Sequence, residues 1–454
     1  MHYPMRRASL LSLAALVCCS CVLAQDAAVQ PPPADPADAF DVAVHLQSFD
    51  QVWETIQKTH WDKEMIETKW NETREEFRPR VAAATSIGDV RKTLGEMLGT
   101  LDQSHFGIIP RDEYDVVEEE QEEGKGGEGV SGLEIRLIDE QLVVTRVFPG
   151  LPADDAGIQS GWIVTKIGKR DTEYVIEKSS TVAEHSIMRL DTVIGLATDA
   201  RTTGDIGEEL ALEFLDHNDE TQSIALTLIE GPGELERLGN LPAFTVDFKS
   251  QELPGEIGYV SFNAFIGGPR LIREYNNAIQ QYRDKNGLVI DLRGNRGGLV
   301  VLVMGMCGWL VDDKSPIGTM NIGGTLPLNL ALNPRKPRFD KPVAVLIDEC
   351  SISAAEIMSG GLKDLGAARV FGKTTAGLAL PSIVTRLPNG DGFQYAMASY
   401  VSASGQTLEG EGVVPDQPVE LTRAMLLETP DPVLSAAKKW ILEQNQTTNN
   451  DSDE

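Results

Sequence analysis

The chain has 454 residues, with 40 Lys and Arg against 69 Asp and Glu, a formal net charge of −29. That excess argues against a protein that grips nucleic acid or anionic lipid through a broad basic field, though it leaves room for a local basic site. A hydrophobic content of 41% excludes a wholly disordered chain, and at about 150 residues per domain the length points to about three domains.

Met1 to Ala24 reads as a secretory signal segment. Arg6 and Arg7 form a basic start, Leu10 to Val17 a short apolar run, and Val22-Leu23-Ala24 a small-residue cleavage site. The expectation is an exported protein, in a bacterial periplasm or cell envelope or secreted. No other stretch reaches about 18 uninterrupted apolar residues, so no transmembrane span is expected after its removal. Leu16-Val17-Cys18-Cys19 has the outline of a lipidation motif, poorly met at the small residue before the modified Cys, and would supply a lipid anchor. Cys18, Cys19 and Cys21 leave with this segment. Cys307 and Cys350 remain, expected to be buried and free. There is no HExxH, and the six histidines are scattered, so no metal site is expected.

Residues 25–40 are rich in Pro and Ala and read as a tether. Residues 41–111 read as a helical domain, with Val44, Phe49, Val52, Trp53 and Ile56 at three- and four-residue spacing. Ser86 with Asp89 makes a capping box for a further helix. Residues 112–128 form an acidic linker. Gly124 to Gly129 spells GxGxxG, but no apolar strand precedes it, which discounts a dinucleotide loop. Residues 129–231 read as short strands and turns, the strands at 142–147, 162–167, 210–214 and 223–228. Residues 240–425 alternate strands (257–262, 288–292, 343–347, 370–372) with helices (271–282, 299–310, 354–365), which argues an α/β core. A terminal helix (426–446) and a disordered acidic tail (447–454) complete the chain.

Two segments of the core carry chemistry. In Asp348-Glu349-Cys350-Ser351-Ile352-Ser353-Ala354-Ala355-Glu356 a very apolar strand meets a helix. A Ser at such a junction presents its hydroxyl beside free backbone N–H groups that stabilise an oxyanion. Taken alone, Ser353 reads equally as an N-cap, and Ser351 competes for that position. In Asp291-Leu292-Arg293-Gly294-Asn295-Arg296-Gly297-Gly298 a strand runs into a Gly-rich turn, where paired glycines let backbone approach a ligand or take positive φ.

VIDLRGNRGG, IDECSISAAEI, VFGKTTAG and LEGEGVVPD, in that order, resemble the core motifs of the tricorn-core and C-terminal processing peptidase family of serine peptidases. The resemblance implies an α/β peptidase core of the ClpP/crotonase-like kind, with an N-terminal helical domain and an inserted PDZ-like β-rich domain. It makes Ser353 the nucleophile, and the backbone N–H groups of Gly298 and Ala354 the oxyanion hole. The processing branch uses a Lys as base, and that position here holds Leu378; Lys373 lies five positions early. The tricorn-like branch uses a His preceded by a Ser, with a distant Glu. The matching residues are Ser104, His105 and Glu409, with Glu411 the competing acid. The resemblance therefore implies a Ser353, His105, Ser104, Glu409 tetrad, and no cofactor. A His base should make activity fall as pH drops through the ordinary His range.

The middle segment resembles a PDZ domain through Gly129 to Ile135 and Val147 to Gly157, with Trp162 where an Asp is usual. This implies that Gly132, Leu133, Glu134 and Ile135 bind substrate, a protein or peptide held by its C-terminus through strand addition. The expected function is an exported serine endopeptidase. The alternative is a catalytically silent binder of apolar ligands or peptides on the same fold, which has no use for a complete tetrad.

Overall fold

The structure, a computed structural model, describes residues 40–111, 129–184, 186–236, 244–323 and 326–452. The signal segment, all of the tether but Phe40, and the acidic linker with its GxGxxG lie outside the described residues.

Helices α1 (Val42–Thr59), α2 (Asn71–Ala82) and α3 (Ile87–Gly99) form the N-terminal part. The Asp41 side chain caps α1, accepting from Ala43 N at 2.9 Å. Ser86 caps α3, its Oγ accepting from Asp89 N at 3.1 Å and donating to Asp89 Oδ2 at 2.8 Å. The apolar spacing becomes one buried stripe: Phe49, Val52, Trp53 and Ile56 pack on Trp70, Phe77, Leu94 and Met97. The chain then leaves the helices through Ser104 and His105 into strand β1 (Gly107–Ile109).

The middle part holds strands β2 (Leu133–Ile138), β3 (Gln141–Val147) and β4 (Ile163–Ile167), helices α4 (Thr172–Glu184) and α5 (Leu190–Arg201), and strands β5 (Glu209–Leu215) and β6 (Thr221–Thr227). The strands form an antiparallel sheet in the order β2-β3-β4-β5-β6, with β2 at its edge. Four strands stand within a residue or two of expectation. The two helices correct the reading of this segment as strands and turns alone. In α4 the buried residues are only Val175, Ser179 and Val182, too sparse an apolar stripe to register as helical. Trp162 is accommodated: it is buried and meets Phe214 edge-on at 5.7 Å.

The remainder contains β7 (Phe248–Leu253), β8 (Ile257–Phe262), α6 (Gly268–Gln281), β9 (Gly287–Asp291), α7 (Val300–Cys307), β10 (Ser315–Ile322), β11 (Leu328–Leu332), β12 (Val343–Ile347), α8 (Ala354–Asp364), β13 (Arg369–Gly372), β14 (Ser382–Arg386), β15 (Gly392–Ala396), β16 (Ala398–Ser402), β17 (Gln417–Pro418) and α9 (Pro432–Ser452). The main sheet runs β7-β8-β9-β12-β13-β17, parallel except for β7. This is the expected α/β core. Every residue of β9 and β12 is buried, as in parallel strands covered on both faces. Residues of α6, α7 and α8 pack on one face, and Val433, Ala437 and Ile441 of α9 on the other. Cys307 and Cys350 are buried and free, as expected. Helix α9 continues to Ser452, correcting the disordered tail expected from residue 447: no Gly or Pro after Pro432 interrupts it.

Parallel strands β9 and β12 end side by side, and their C-terminal ends release the Gly-rich turn and the Ser353 loop toward the same region. Strand β1 brings the end of the helical part there by pairing with β15, Gly107 opposite Gln394. A buried ion pair clamps this docking: Arg91 Nη2 donates to Asp391 Oδ1 at 2.7 Å, and Asp391 is fully buried. Arg91→Met should leave that carboxylate uncompensated and cost about 3 kcal/mol, read as a lowered urea midpoint.

Candidate active site

The loop after β12 is tied down before it reaches Ser353. Asp348 Oδ1 accepts from Gly294 N at 2.8 Å and from Cys350 N at 3.1 Å. Ser351 Oγ donates to Leu292 O at 2.8 Å. Ser351 is therefore a buried cross-link between the two loops, and Ser353 takes the N-cap position of α8. Its backbone has φ 56° and ψ −114°, a region unfavourable for a residue with a Cβ and one that costs about 1–3 kcal/mol.

The surroundings hold that conformation through Glu356. Its buried carboxylate accepts from Ser353 N (2.9 Å), Thr375 Oγ1 (2.6 Å), Gly377 N (2.8 Å) and Leu378 N (3.0 Å). Burial pushes its pKa up to about 7, against the pull of these donors. Ser353 N also donates to Leu378 O at 3.0 Å. The Ser-x-x-Glu spacing of a capping box is the sequence signal for Glu356, a residue to which neither the motifs nor the resemblance gives a role.

Beside Ser353 stands the Gly-rich turn. A Cβ on Gly297 would lie 2.7 Å from the Ser353 Cβ, and one on Gly298 2.5 Å from Phe265 O. Gly298 has φ 133°. The turn is pinned by Phe265 N donating to Gly297 O at 2.7 Å and Leu299 N donating to Phe265 O at 2.9 Å. This bridge leaves the Gly298 N–H outside it. Ala354 N is at the first position of α8, where an N–H has no intrahelical partner.

The third component comes from the helical part. Ser104 Oγ lies 2.7 Å from His105 Nδ1 and donates to Glu409 Oε2 at 3.0 Å, while Ser104 N donates to Glu409 Oε1 at 2.7 Å. Ala379 N donates to Glu409 Oε2 at 3.0 Å. Of the two candidate acids, Glu409 is thus the one bonded to Ser104. Burial raises its pKa, while Ser104 and Ala379 pull it down. His105 has φ 62°, and burial lowers its pKa to about 4. The imidazole is neutral at pH 7, and with its proton on Nδ1, donated to Ser104, it leaves Nε2 with a free lone pair.

The structure joins His105 to Ser104 and Ser104 to Glu409, and connects Ser353 to them through the segment Leu378-Ala379. Among the described residues, no hydrogen bond joins His105 to Ser353. Leu378 is fully buried with Ile352, Val182 and Val193. Lys373 pairs with Asp191 at 2.8 Å. Burial alone would lower its pKa, but Glu349 and Asp191 raise it above the ordinary value, so it is a cation and not a base. Gly132, Leu133, Glu134 and Ile135 line the start of β2. Glu134 is engaged by Arg146 (Nε to Oε2, 2.9 Å). The Ile135 carbonyl accepts from Thr198 Oγ1 at 2.8 Å and Arg136 Nη1 at 3.0 Å. Strand addition at β2 therefore requires these side chains to give way.

Residues 256–419 match the Peptidase family S41 profile and residues 41–99 match the Tricorn protease C1 domain. A carboxyl-terminal-processing protease of Picosynechococcus sp. is 24% identical over 374 residues, covering 81% of this chain and 82% of that protein. The chloroplastic carboxyl-terminal-processing peptidase 3 of Arabidopsis thaliana is 26% identical over 402 residues, covering 86% of this chain and 71% of that protein. The fold is shared with the photosystem II D1 C-terminal processing protease (TM-score 0.55, 19% identity, 83% of this chain and 93% of that one). It is also shared with mature CPAF (TM-score 0.57, 14% identity, 90% of this chain and 98% of that one). The chain is a serine peptidase.

Four donors converge on Glu356, so Glu356→Gln would turn an amide NH2 toward N–H groups. Each donor left unpaired costs about 1–3 kcal/mol, and the melting temperature should fall.

Proposed function

We propose that the chain is an exported serine endopeptidase that cuts protein or peptide substrates with a Ser353, His105, Ser104, Glu409 tetrad. The observation that carries this reading is the Glu409–Ser104–His105 relay, joined through two residues of backbone to a strained Ser353. Ser353 Oγ attacks the scissile carbonyl and gives its proton to His105 Nε2. The N–H groups of Gly298 and Ala354 hold the oxyanion. His105 then protonates the leaving amine, and water, activated by the same imidazole, releases the acyl group. Ser104 Oγ accepts a hydrogen bond from Nδ1–H, which keeps its proton, and by donating to Glu409 couples that carboxylate to the imidazolium.

Ser104 and His105 come from the helical part and Ser353 from the α/β core, so substrate-driven closure has to bring Nε2 onto Oγ, a contact that tightens in the reacting complex. We assign the middle part as a PDZ-like module that captures substrate C-termini and gates that closure. Two contacts support gating: Val182 and Val193 of the module pack on Ile352, the residue before the nucleophile, and Thr192 Oγ1 donates to Glu349 O at 3.0 Å. Among the described residues no helix is long and apolar enough to cross a membrane; the export assignment rests on Met1 to Ala24.

Labelling of purified protein with a serine-directed fluorophosphonate tests the reading. Wild type should label, and Ser353→Ala and His105→Ala should not; peptide hydrolysis should fall by about 10⁴-fold or more in either. Failure of folded wild type to label would favour the silent binder. The pH expectation is revised by the burial of His105. The base works when neutral, above its pKa, and that pKa is about 4. So kcat/KM should be level from about pH 5 to 8 and fall below about pH 5 as the imidazole protonates. A decline centred near the ordinary His value of about 6.5 would contradict the buried relay.

A further inference from the structure

The contact between the middle module and the core holds charges that the tetrad does not use. Asp199, in the last turn of α5, accepts from Arg136 Nη1 of β2 at 2.7 Å and from Arg296 Nη2 of the core. Arg296 lies in the Gly-rich turn, two residues before Gly298. A module carboxylate is thus tied to the turn that presents the oxyanion donor. A cavity of about 290 Å3 opens at this pair. Ser131, Gly132, Leu133, Phe148 and Leu151 wall it on the module side, and Arg296 on the core side.

Charge around this cavity is already balanced. The guanidinium groups of Arg136, Arg146, Arg293 and Arg296 face the acids Glu134, Asp199, Asp247 and Asp291. A further anion can enter only by displacing a resident one. Asp291 and Glu134 have 1% and 8% exposed side chains, and each has a hydroxyl partner as well, Tyr259 and Thr145. Asp247 makes no ion pair with these arginines. Asp199 is 27% exposed and, among the described residues, its side chain is held by guanidinium groups alone. Two donors here also have unmet capacity. Arg296 has a side chain only 8% exposed, yet its Nη1, like Arg136 Nε, has no hydrogen-bond partner among the described residues. Buried donors of this kind ordinarily find an acceptor.

Resting on the peptide-capture reading above, we propose that this cavity binds the C-terminal carboxylate of a peptide with an apolar last residue on Arg296, and that Asp199 is the resident carboxylate it displaces. Both groups are carboxylates and compete for the same fork of N–H donors. The apolar wall of Leu133, Phe148 and Leu151 receives the last side chain. Capture exchanges a module-to-turn contact for a peptide-to-turn contact, so occupancy of the module is felt directly at the turn carrying Gly298.

The test uses the Ser353→Ala chain, which holds peptide without cutting it, and a fluorescein-labelled Ala-Gly-Ala-Ala-Val-Leu peptide with a free C-terminus or a C-terminal amide. By anisotropy the free acid should bind about tenfold tighter or more. Asp199→Asn, by removing the competitor, should tighten the acid about fivefold and leave the amide unchanged; Arg296→Gln should erase the difference between the two. Equal binding of acid and amide overturns the proposal, and this comparison needs no change at Asp199 or Arg296. No tightening in an Asp199→Asn protein of unchanged melting temperature also overturns it. Fluorophosphonate labelling of the wild-type chain separates the two readings: labelling without acid preference removes only the Asp199 proposal, and acid preference without labelling removes only the peptidase.

Discussion

The buried carboxylate of Glu356 is the constraint on which the region around Ser353 depends. It sits one helical turn beyond Ser353, cut off from solvent, and three backbone N–H groups and a hydroxyl point at it. Those donors belong to the Ser353 turn and to the segment Thr375 to Leu378. Thr375 also accepts from Val413 N at 2.6 Å, and Gly410 N donates to Gly377 O at 2.8 Å. One acid therefore gathers the start of α8, the loop after β13 and the loop carrying Glu409. An unfavourable Ser353 backbone persists because this network over-determines it.

The same loop shows what Leu378 does at the position where the resemblance expects a lysine. Leu378 presents an apolar side chain to Ile352 and the module helices, while its N–H and C=O serve Glu356 and Ser353. Its neighbour Ala379 donates to Glu409. The backbone of this segment spans the two sides of the relay, and its side chain is free to pack. Burial of the relay has a second effect. It lowers the His105 pKa to about 4, so the imidazole stays neutral over the ordinary range and its folded state resists protonation. Between about pH 6.5 and 4 the unfolded chain binds the proton that the folded chain refuses, and this group withdraws stability as pH falls through that window.

Much was legible in the residues themselves. The apolar runs at 257–262, 288–292 and 343–347 are strands because parallel strands covered on both faces need no alternation. Ser86 with Asp89 marked a helix start because that pairing satisfies a free N–H locally. Four ordered motifs carried the resemblance that pointed to Ser353 and to Glu409 with Glu411 as its rival, and the adjacent Ser104-His105 pair, with Leu378 at the Lys position, completed the candidate set. These are short-range signals, carried by neighbouring residues. Helix α4 escaped because its buried stripe is thin, Val175, Ser179 and Val182, and α5 because its buried residues 192–198 are one continuous run without helical spacing. The end of α9 escaped because polar residues there look like a tail although nothing breaks the helix.

What only the tertiary structure decided are the relations between distant segments. Ser351 and Ser353 compete for the N-cap when read from the residues alone; a hydrogen bond to Leu292, 59 residues away, makes one a cross-link and leaves the other at the N-cap. Glu409 and Glu411 are two residues apart, and the approach of Ser104, 305 residues away, selects Glu409. Asp199, Arg136 and Arg296 carried no local pattern at all, because an ion pair across a domain contact leaves no periodicity in any one segment. Residue chemistry determined which groups were available. Burial, which sets pKa values and forces every buried donor to find an acceptor, decided which of them meet.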